Sequence, residues 1–172
     1  MHIIVDGYNL IRRSDELKRF DKKSLEEGRE ALLRHLMRYK KHKGHKITVV
    51  FDGWESGSFQ EKKDRQGGIE IIYSRRGEKA DEVIKRLGQC QSEEFVVVTS
   101  DRDIANFIEK RGGTGIGSRV FEAMVERTFL AGQDKNTASD NDESDEKPTG
   151  KKGPSHRPSR KKRVALAKMK KL

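Results

Sequence analysis

The sequence predicts an α/β domain built on a mostly parallel sheet with helices on both sides. Apolar β-type runs and amphipathic helical runs alternate through residues 1–132, the order that a parallel sheet with crossover helices requires. One run, Phe95–Val98, is apolar without interruption, the pattern of a strand covered on both faces. Composition then changes sharply near Gly132: residues Gln133–Leu172 contain no Phe, Tyr or Trp and hold all three prolines, Pro148, Pro154 and Pro158.

In order, His2–Val5 is a short apolar run that ends at Asp6. Lys23–Lys43 reads as a helix, because Leu25, Leu32, Leu36 and Tyr39 share a face and Arg34, Arg38, Lys41 and Lys43 lie largely off it. Lys46–Phe51 is a β-branched strand ending at Asp52-Gly53, and Ile69–Tyr73 is another strand. Glu78–Gln91 is helical, with Ala80, Val83, Ile84 and Leu87 at core spacing. Cys90 falls on the same apolar face and is expected to be a small buried hydrophobe. After Phe95–Val98 comes a helix over Asp101–Arg111, with Ile104, Phe107 and Ile108 inward. A short strand, Thr114–Ile116, and a last helix, Ser118–Leu130, complete a domain expected to span residues 1–132.

Residues 133–172 are expected to form a disordered tail, acidic over Asp140–Glu146 and basic from Lys147 onward, because they offer too little apolar surface to offset their ordering entropy. The whole chain carries a net charge of +10, of which +6 belongs to the tail (12 Lys and Arg against 6 Asp and Glu). A polyanionic partner fits this balance. A single cysteine excludes an internal disulfide framework. No apolar run approaches the ~18 residues of a membrane span, and Asp6 interrupts the first apolar run, so the expected compartment is the cytoplasm.

The acids are the informative residues. Asp6 follows the first strand, Asp52 the second, and Asp101 and Asp103 follow Phe95–Val98. Glu78 and Asp81, three apart and so on one face, begin the helix after Ile69–Tyr73. All lie at or beyond the carboxyl ends of strands, the edge where an open α/β sheet holds its crevice. Converging carboxylates are costly: two charges roughly 4 Å apart repel by about 4 kcal/mol at an effective dielectric near 20. Such a site calls for a cation, and hard oxygen ligands select Mg²⁺ or Mn²⁺. A metal so held can activate water and stabilise a leaving oxygen, chemistry that suits phosphodiester hydrolysis. Structural roles compete for the same residues: Asp101 or Asp103 as a helix cap, Asp6 and Asp52-Gly53 as turns.

Asp6-Gly-Tyr-Asn9, Phe51-Asp52-Gly53, Glu78-x-x-Asp81 and Val98-Thr99-Ser100-Asp101-x-Asp103 occur in this order. Together they resemble the NYN domains of the YacP-like type, a branch of the PIN-like nuclease superfamily, over about residues 1–130. The resemblance implies a PIN-like three-layer α/β/α sandwich, divalent-metal endoribonuclease activity, and work on or near translating ribosomes. By position it implies Asp6, Asp81 and Asp101 as metal ligands. Asn9 and Ser100 would orient ligands or phosphate, and Asp52, Glu78 and Asp103 would be supporting acids. The basic tail lies outside the pattern matched.

Arg75 and Arg76 precede the Glu78/Asp81 turn and could hold a phosphate bidentately, or else line a solvated loop. The polar segment Gly53–Gly68 carries Trp54, Lys62, Lys63 and Arg65, a mixture suited to base stacking and phosphate contact, although Trp54 could equally cover the sheet end. The tail run Arg160-Lys161-Lys162-Arg163 suits RNA binding by counterion release. His35, His42 and His45 sit among lysines and read as solvated basic surface rather than a zinc site, and Tyr8 reads as packing. The expectation is a metal-dependent endoribonuclease acting on single-stranded RNA, messenger RNA above all. The competing reading is a non-catalytic RNA- or ribosome-binding module of the same shape. A phosphatase or phospho-acceptor reading fares poorly, because the second Asp it needs two residues after Asp6 is Tyr8. The sequence does not fix an oligomeric state.

Overall fold

The structure, a computed structural model, describes residues 1–53 and 60–134, together with 167, 168 and 172. Six strands form one sheet: β1 (His2–Asp6), β2 (Lys46–Phe51), β3 (Lys62–Gln66), β4 (Ile69–Tyr73), β5 (Phe95–Val98) and β6 (Thr114–Ile116), in the order β3-β4-β2-β1-β5-β6. Every pairing is parallel except β3 with β4. Among the described residues six helices flank it: α1 (Gly7–Arg13), α2 (Leu17–Asp21), α3 (Leu25–Lys43), α4 (Ala80–Gln89), α5 (Arg102–Lys110) and α6 (Ser118–Asp134).

Alternation along the central strands creates two cores. Ile3, Val5, Val49, Phe51, Val96 and Val98 pack against α1, α2, α3 and α6 through Ile11, Leu32, Leu36, Phe121 and Val125. Ile4, Val50, Ile72 and Val97 pack against α4 and α5 through Val83, Ile84, Ile104 and Ile108. This is the three-layer arrangement the sequence predicts. The chain builds β2 and β4 on one side of β1 and then returns to place β5 and β6 on the other. The reversal opens a crevice at the carboxyl ends of β1 and its neighbours.

Four features differ from expectation. Helices α1 and α2 occupy the stretch between Asp6 and Lys23, where no element is evident from periodicity. Lys62–Gln66 is an edge strand, exposed along its whole length. It turns into β4 through Gly67 and Gly68, whose φ values of 56° and 78° glycine reaches at no steric cost. Cys90 is exposed rather than buried, because α4 ends at Gln89 and Cys90 is only its C-cap, past the last turn that faces the core. His35 also departs from a solvated role: its ring packs edge-on to Phe129 with centroids 5.3 Å apart.

The last helix continues to Asp134, two residues past the expected domain end. Leu172 is buried in the α3/α6 core at 3% exposure, and its carbonyl accepts a hydrogen bond from the Tyr39 hydroxyl at 2.8 Å. Lys168 donates to the Gly112 carbonyl at 3.3 Å. The rest of the expected tail, residues 135–166 and 169–171, lies outside the described residues. No described helix is long and apolar enough to cross a membrane.

Candidate active site

Asp6 ends the central strand and turns directly into α1. Its carboxylate caps that helix, accepting from the Asn9 N–H at 3.2 Å, and accepts from the Thr99 hydroxyl at 3.2 Å. Gly7 must follow it, since a Cβ there would collide with the Phe51 ring. Asp52, one strand over, accepts from the Ala80 N–H at 2.6 Å and so ties the end of β2 to the start of α4. Gly53 then lies against the Ser74 carbonyl with no room for a Cβ, and its N–H donates to the Ser74 hydroxyl. Asp81 stands in the first turn of α4.

These three carboxylates share a pocket of about 420 Å³, lined also by Tyr8, Asn9, Arg12, Arg13 and Ala80. Asp101 stands beside it. Its carboxylate caps α5 through the Asp103 and Ile104 N–H groups at 2.7 and 3.3 Å, and its charge raises the Asp81 carboxyl. Burial is the larger cause for Asp81, and Asp52 adds to it. Asp6, 8% exposed, is pushed up to about 6 by burial first, with Asp81 and Asp52 contributing. The acids therefore act on one another. Among the described residues, no three His, Cys, Asp or Glu side chains are grouped tightly enough to hold a metal as they stand.

The donor set nevertheless fits a hard divalent cation. Among the described residues the largely buried Asp6 carboxylate accepts hydrogen bonds from neutral donors, and no ion pair is made by Asp6, Asp52, Asp81 or Asp101. All-oxygen donors of this kind suit Mg²⁺ or Mn²⁺.

The positioning residues form a chain across the sheet ends. Asn9 Oδ1 accepts from the Ser100 N–H at 3.0 Å and from the Ser118 hydroxyl at 2.8 Å, clipping α1 to the β5–α5 loop and to the start of α6. The Ser100 hydroxyl accepts from the Ser118 N–H. Thr99 donates to Asp6 while its oxygen accepts from the Asp101 N–H, so one hydroxyl couples two acids. Thr99, Arg12 and Arg13 escape a sequence reading. The sequence shows Thr99 only as a residue beside the acids, and the two arginines as charges after an unrecognised helix.

Other expected members lie elsewhere. Glu78 is turned away from the acids: its carboxylate is 5% exposed and engages Arg86 and Arg75. Arg75 is paired with Glu78 at 3.4 Å and is otherwise exposed. Asp103 is exposed on the first turn of α5, and Arg76 is exposed beyond β4. Lys62 lies level with Tyr73 at the active edge, but β3 runs away from that edge, which puts Lys63 and Arg65 toward the opposite end. Trp54 and the run Arg160, Lys161, Lys162 and Arg163 lie outside the described residues.

The family model described as the YacP-like NYN domain matches residues 3–171. The chain belongs to the YacP-like NYN family. The matched span runs well past the motifs, in keeping with Leu172 joining the core. A curated relative, the uncharacterized protein YacP of Bacillus subtilis (strain 168), is 34% identical over 102 residues, which cover 58% of this chain and 59% of that protein. The chain thus spans less than two thirds of that relative in the match. Two crystal structures of Rae1 (YacP) from Bacillus subtilis are similar in fold. One, a single-substitution variant, superposes with a TM-score of 0.65 at 27% identity, covering 78% of this chain and 80% of that one. The other gives 0.64 at 29% identity, covering 79% of each. This NYN domain therefore has the PIN-like α/β/α fold of a nuclease superfamily.

Proposed function

We propose that this NYN domain is a divalent-metal-dependent endoribonuclease that hydrolyses phosphodiester bonds in single-stranded RNA, with messenger RNA at or near the ribosome as its substrate and the cytoplasm as its place of action. The observation that carries the reading is the meeting of Asp6, Asp52 and Asp81 in one pocket rimmed by Arg12 and Arg13, with Asp101 adjoining. Acids and guanidinium groups together match a phosphate and the cation that offsets its charge.

Asp6, Asp81 and Asp101 would hold Mg²⁺ or Mn²⁺, which when bound supplies an activated water and charge neutralisation at the leaving oxygen. Arg12 and Arg13 orient the phosphate from the exposed side of α1. The Arg12 guanidinium sits 5.6 Å from the centre of the Tyr8 ring, which restricts its direction. Thr99 holds Asp6 and Asp101 in a fixed relation, and Asn9 holds the loop that carries Asp101. Asp52 anchors the start of α4, and with it Asp81.

The test is cleavage of a labelled single-stranded RNA by the purified protein with Mg²⁺ or Mn²⁺, beside Asp6→Asn and Asp81→Asn. Activity is expected in the parent alone and is expected to vanish in EDTA. Cleavage that persists in EDTA or in both variants would remove the reading. A non-catalytic RNA- or ribosome-binding role is the alternative, favoured by the spread of the carboxylates beyond a ready-made ligand shell. It predicts cosedimentation with ribosomes and no cleavage of ribosome-presented messenger.

A further inference from the structure

A second charged depression lies at the far end of the sheet. It has a volume of about 650 Å³ and is lined by Lys40, Lys46, Ile47, Lys63, Asp64, Arg65, Gly68 and Glu70. Four cations meet two carboxylates there. The register explains the convergence. Arg65 is paired with Glu70 and Lys63 with Ile72, so their side chains leave the sheet on the α4 face. Lys46 precedes Thr48 by two residues, and Thr48 is level with Glu70, so Lys46 joins the same face. Lys40 comes from the end of α3 on the opposite face and reaches the cleft beside Gly68, donating to the His45 carbonyl at 3.0 Å.

The cations are poorly matched from within. Glu70 accepts from the buried Thr48 hydroxyl at 2.9 Å, and Thr48 is bonded in turn to His2, so this carboxylate is committed inward. Asp64 accepts from the Arg65 N–H. Lys63 is paired outside the depression, with Glu61 at 3.5 Å. Lys46 and Arg65 form no ion pair among the described residues, and both are exposed. The edge strand that carries Lys63 and Arg65 is exposed throughout, so an extended polymer can approach it.

We propose that this cleft is a second phosphate-binding site, which holds the backbone of single-stranded RNA about one strand length from the acid pocket. It rests on the nuclease reading only for the identity of the polyanion. Strand β2 separates the two sites: Lys46 begins it and Asp52 follows its end, so they lie roughly 20 Å apart at the rise of an extended strand. RNA held at both sites has to pass along the β3 edge, and the binding footprint is correspondingly longer than the catalytic pocket alone. Among the described residues no aromatic side chain lines the cleft, which suits a sequence-independent contact.

The experiment measures binding of a fluorescein-labelled 20-nucleotide oligouridylate to the full chain in EDTA, where cleavage is off, over a series of salt concentrations. Lys46→Gln/Arg65→Gln is compared with Arg19→Gln/Arg127→Gln, a pair of exposed cations on α2 and α6. Both pairs lie on exposed positions, and equal melting temperatures verify the folds. The proposal expects the cleft pair to weaken binding about 10-fold or more. It also expects the slope of log K against log salt to fall by about 1.4, or about 0.7 per lost contact with a single strand. The control pair is expected to change neither. Equal behaviour of the two pairs overturns the cleft, as does tighter binding of a polyglutamate peptide than of RNA, which would assign it to an acidic protein. Because no step depends on catalysis, loss of cleavage in Asp6→Asn with this binding intact would leave the cleft standing, and the reverse result would leave the nuclease reading standing.

Discussion

At the scale of single residues, Asp6 is where folding and function oppose each other. A carboxyl held at about 6 rather than its ordinary 3.8 costs the ionised, metal-free fold about 3 kcal/mol. The folded protein binds this proton more tightly than the unfolded chain. Stability of the metal-free protein therefore falls as pH rises from about 4 to about 6, and is level with respect to this group above that. Asp6→Asn keeps an oxygen for the Asn9 N–H, turns an amide N–H toward the Thr99 hydroxyl, and removes the charge. Its melting temperature without metal at pH 8 is expected to exceed the parent's by roughly 5–10 °C in a calorimetric scan, while cleavage falls at least ~100-fold. An unchanged melting temperature would mean that Asp6 is not strained. Arg12→Ala and Arg13→Ala are expected to reduce kcat/KM by about 10–100-fold each without moving the melting temperature. Of these residues the sequence shows the acids plainly, because Asp6 and Asp52 end or directly follow strands, Asp101 opens the helix after β5 and Asp81 the helix after β4. It cannot show Thr99 or the arginines, whose roles depend on which strand ends become neighbours, nor that Glu78 turns toward Arg86 instead of Asp81.

At the scale of elements, the strands and long helices were legible because their apolar patterns are set by burial: β5 is buried at every position, and α3, α4 and α5 each present a stripe to a core. The elements that escaped have no such pattern. Strand β3 is exposed on both faces, paired to β4 along its backbone and joined to it by the glycine turn. The seven-residue α1 and five-residue α2 are too short for a period to register. Two elements are joined by single side chains, and these joints carry predictions. Asn9→Ala leaves the Ser100 N–H and the Ser118 hydroxyl without their acceptor. It is expected to cost about 1–3 kcal/mol in urea unfolding and to lower kcat more than it raises KM. Leu172 belongs to the α3/α6 core although composition assigns it to the tail. Leu172→Ala is expected to cost about 2–4 kcal/mol, and Tyr39→Phe, which loses the bond to the Leu172 carbonyl, about 1 kcal/mol. Equal stability of parent and Leu172→Ala would show that the contact does not form in solution.

At the scale of the whole molecule, topology decides where chemistry is available. Because the strand order reverses at β1, the carboxyl ends of β1 and β2 and the start of α4 share one crevice, where Asp6, Asp52 and Asp81 line a pocket with Asp101 beside it. At the other end of β2, Lys46 lies with Lys63 and Arg65 of the edge strand and Lys40 of α3. A divalent cation that binds only the folded form must stabilise it by mass action, by about 2.7 kcal/mol at a hundredfold excess over its dissociation constant. The most direct measurement is calorimetric titration of Mn²⁺ into the parent, Asp6→Asn and Asp81→Asn at pH 6 in two buffers of different ionisation heat. Binding by the parent is expected to release protons, because the cation displaces them from an Asp6 carboxyl that titrates at about 6, and both variants are expected to lose the heat. No binding by the parent at millimolar Mn²⁺, or equal binding by all three proteins, would contradict the account.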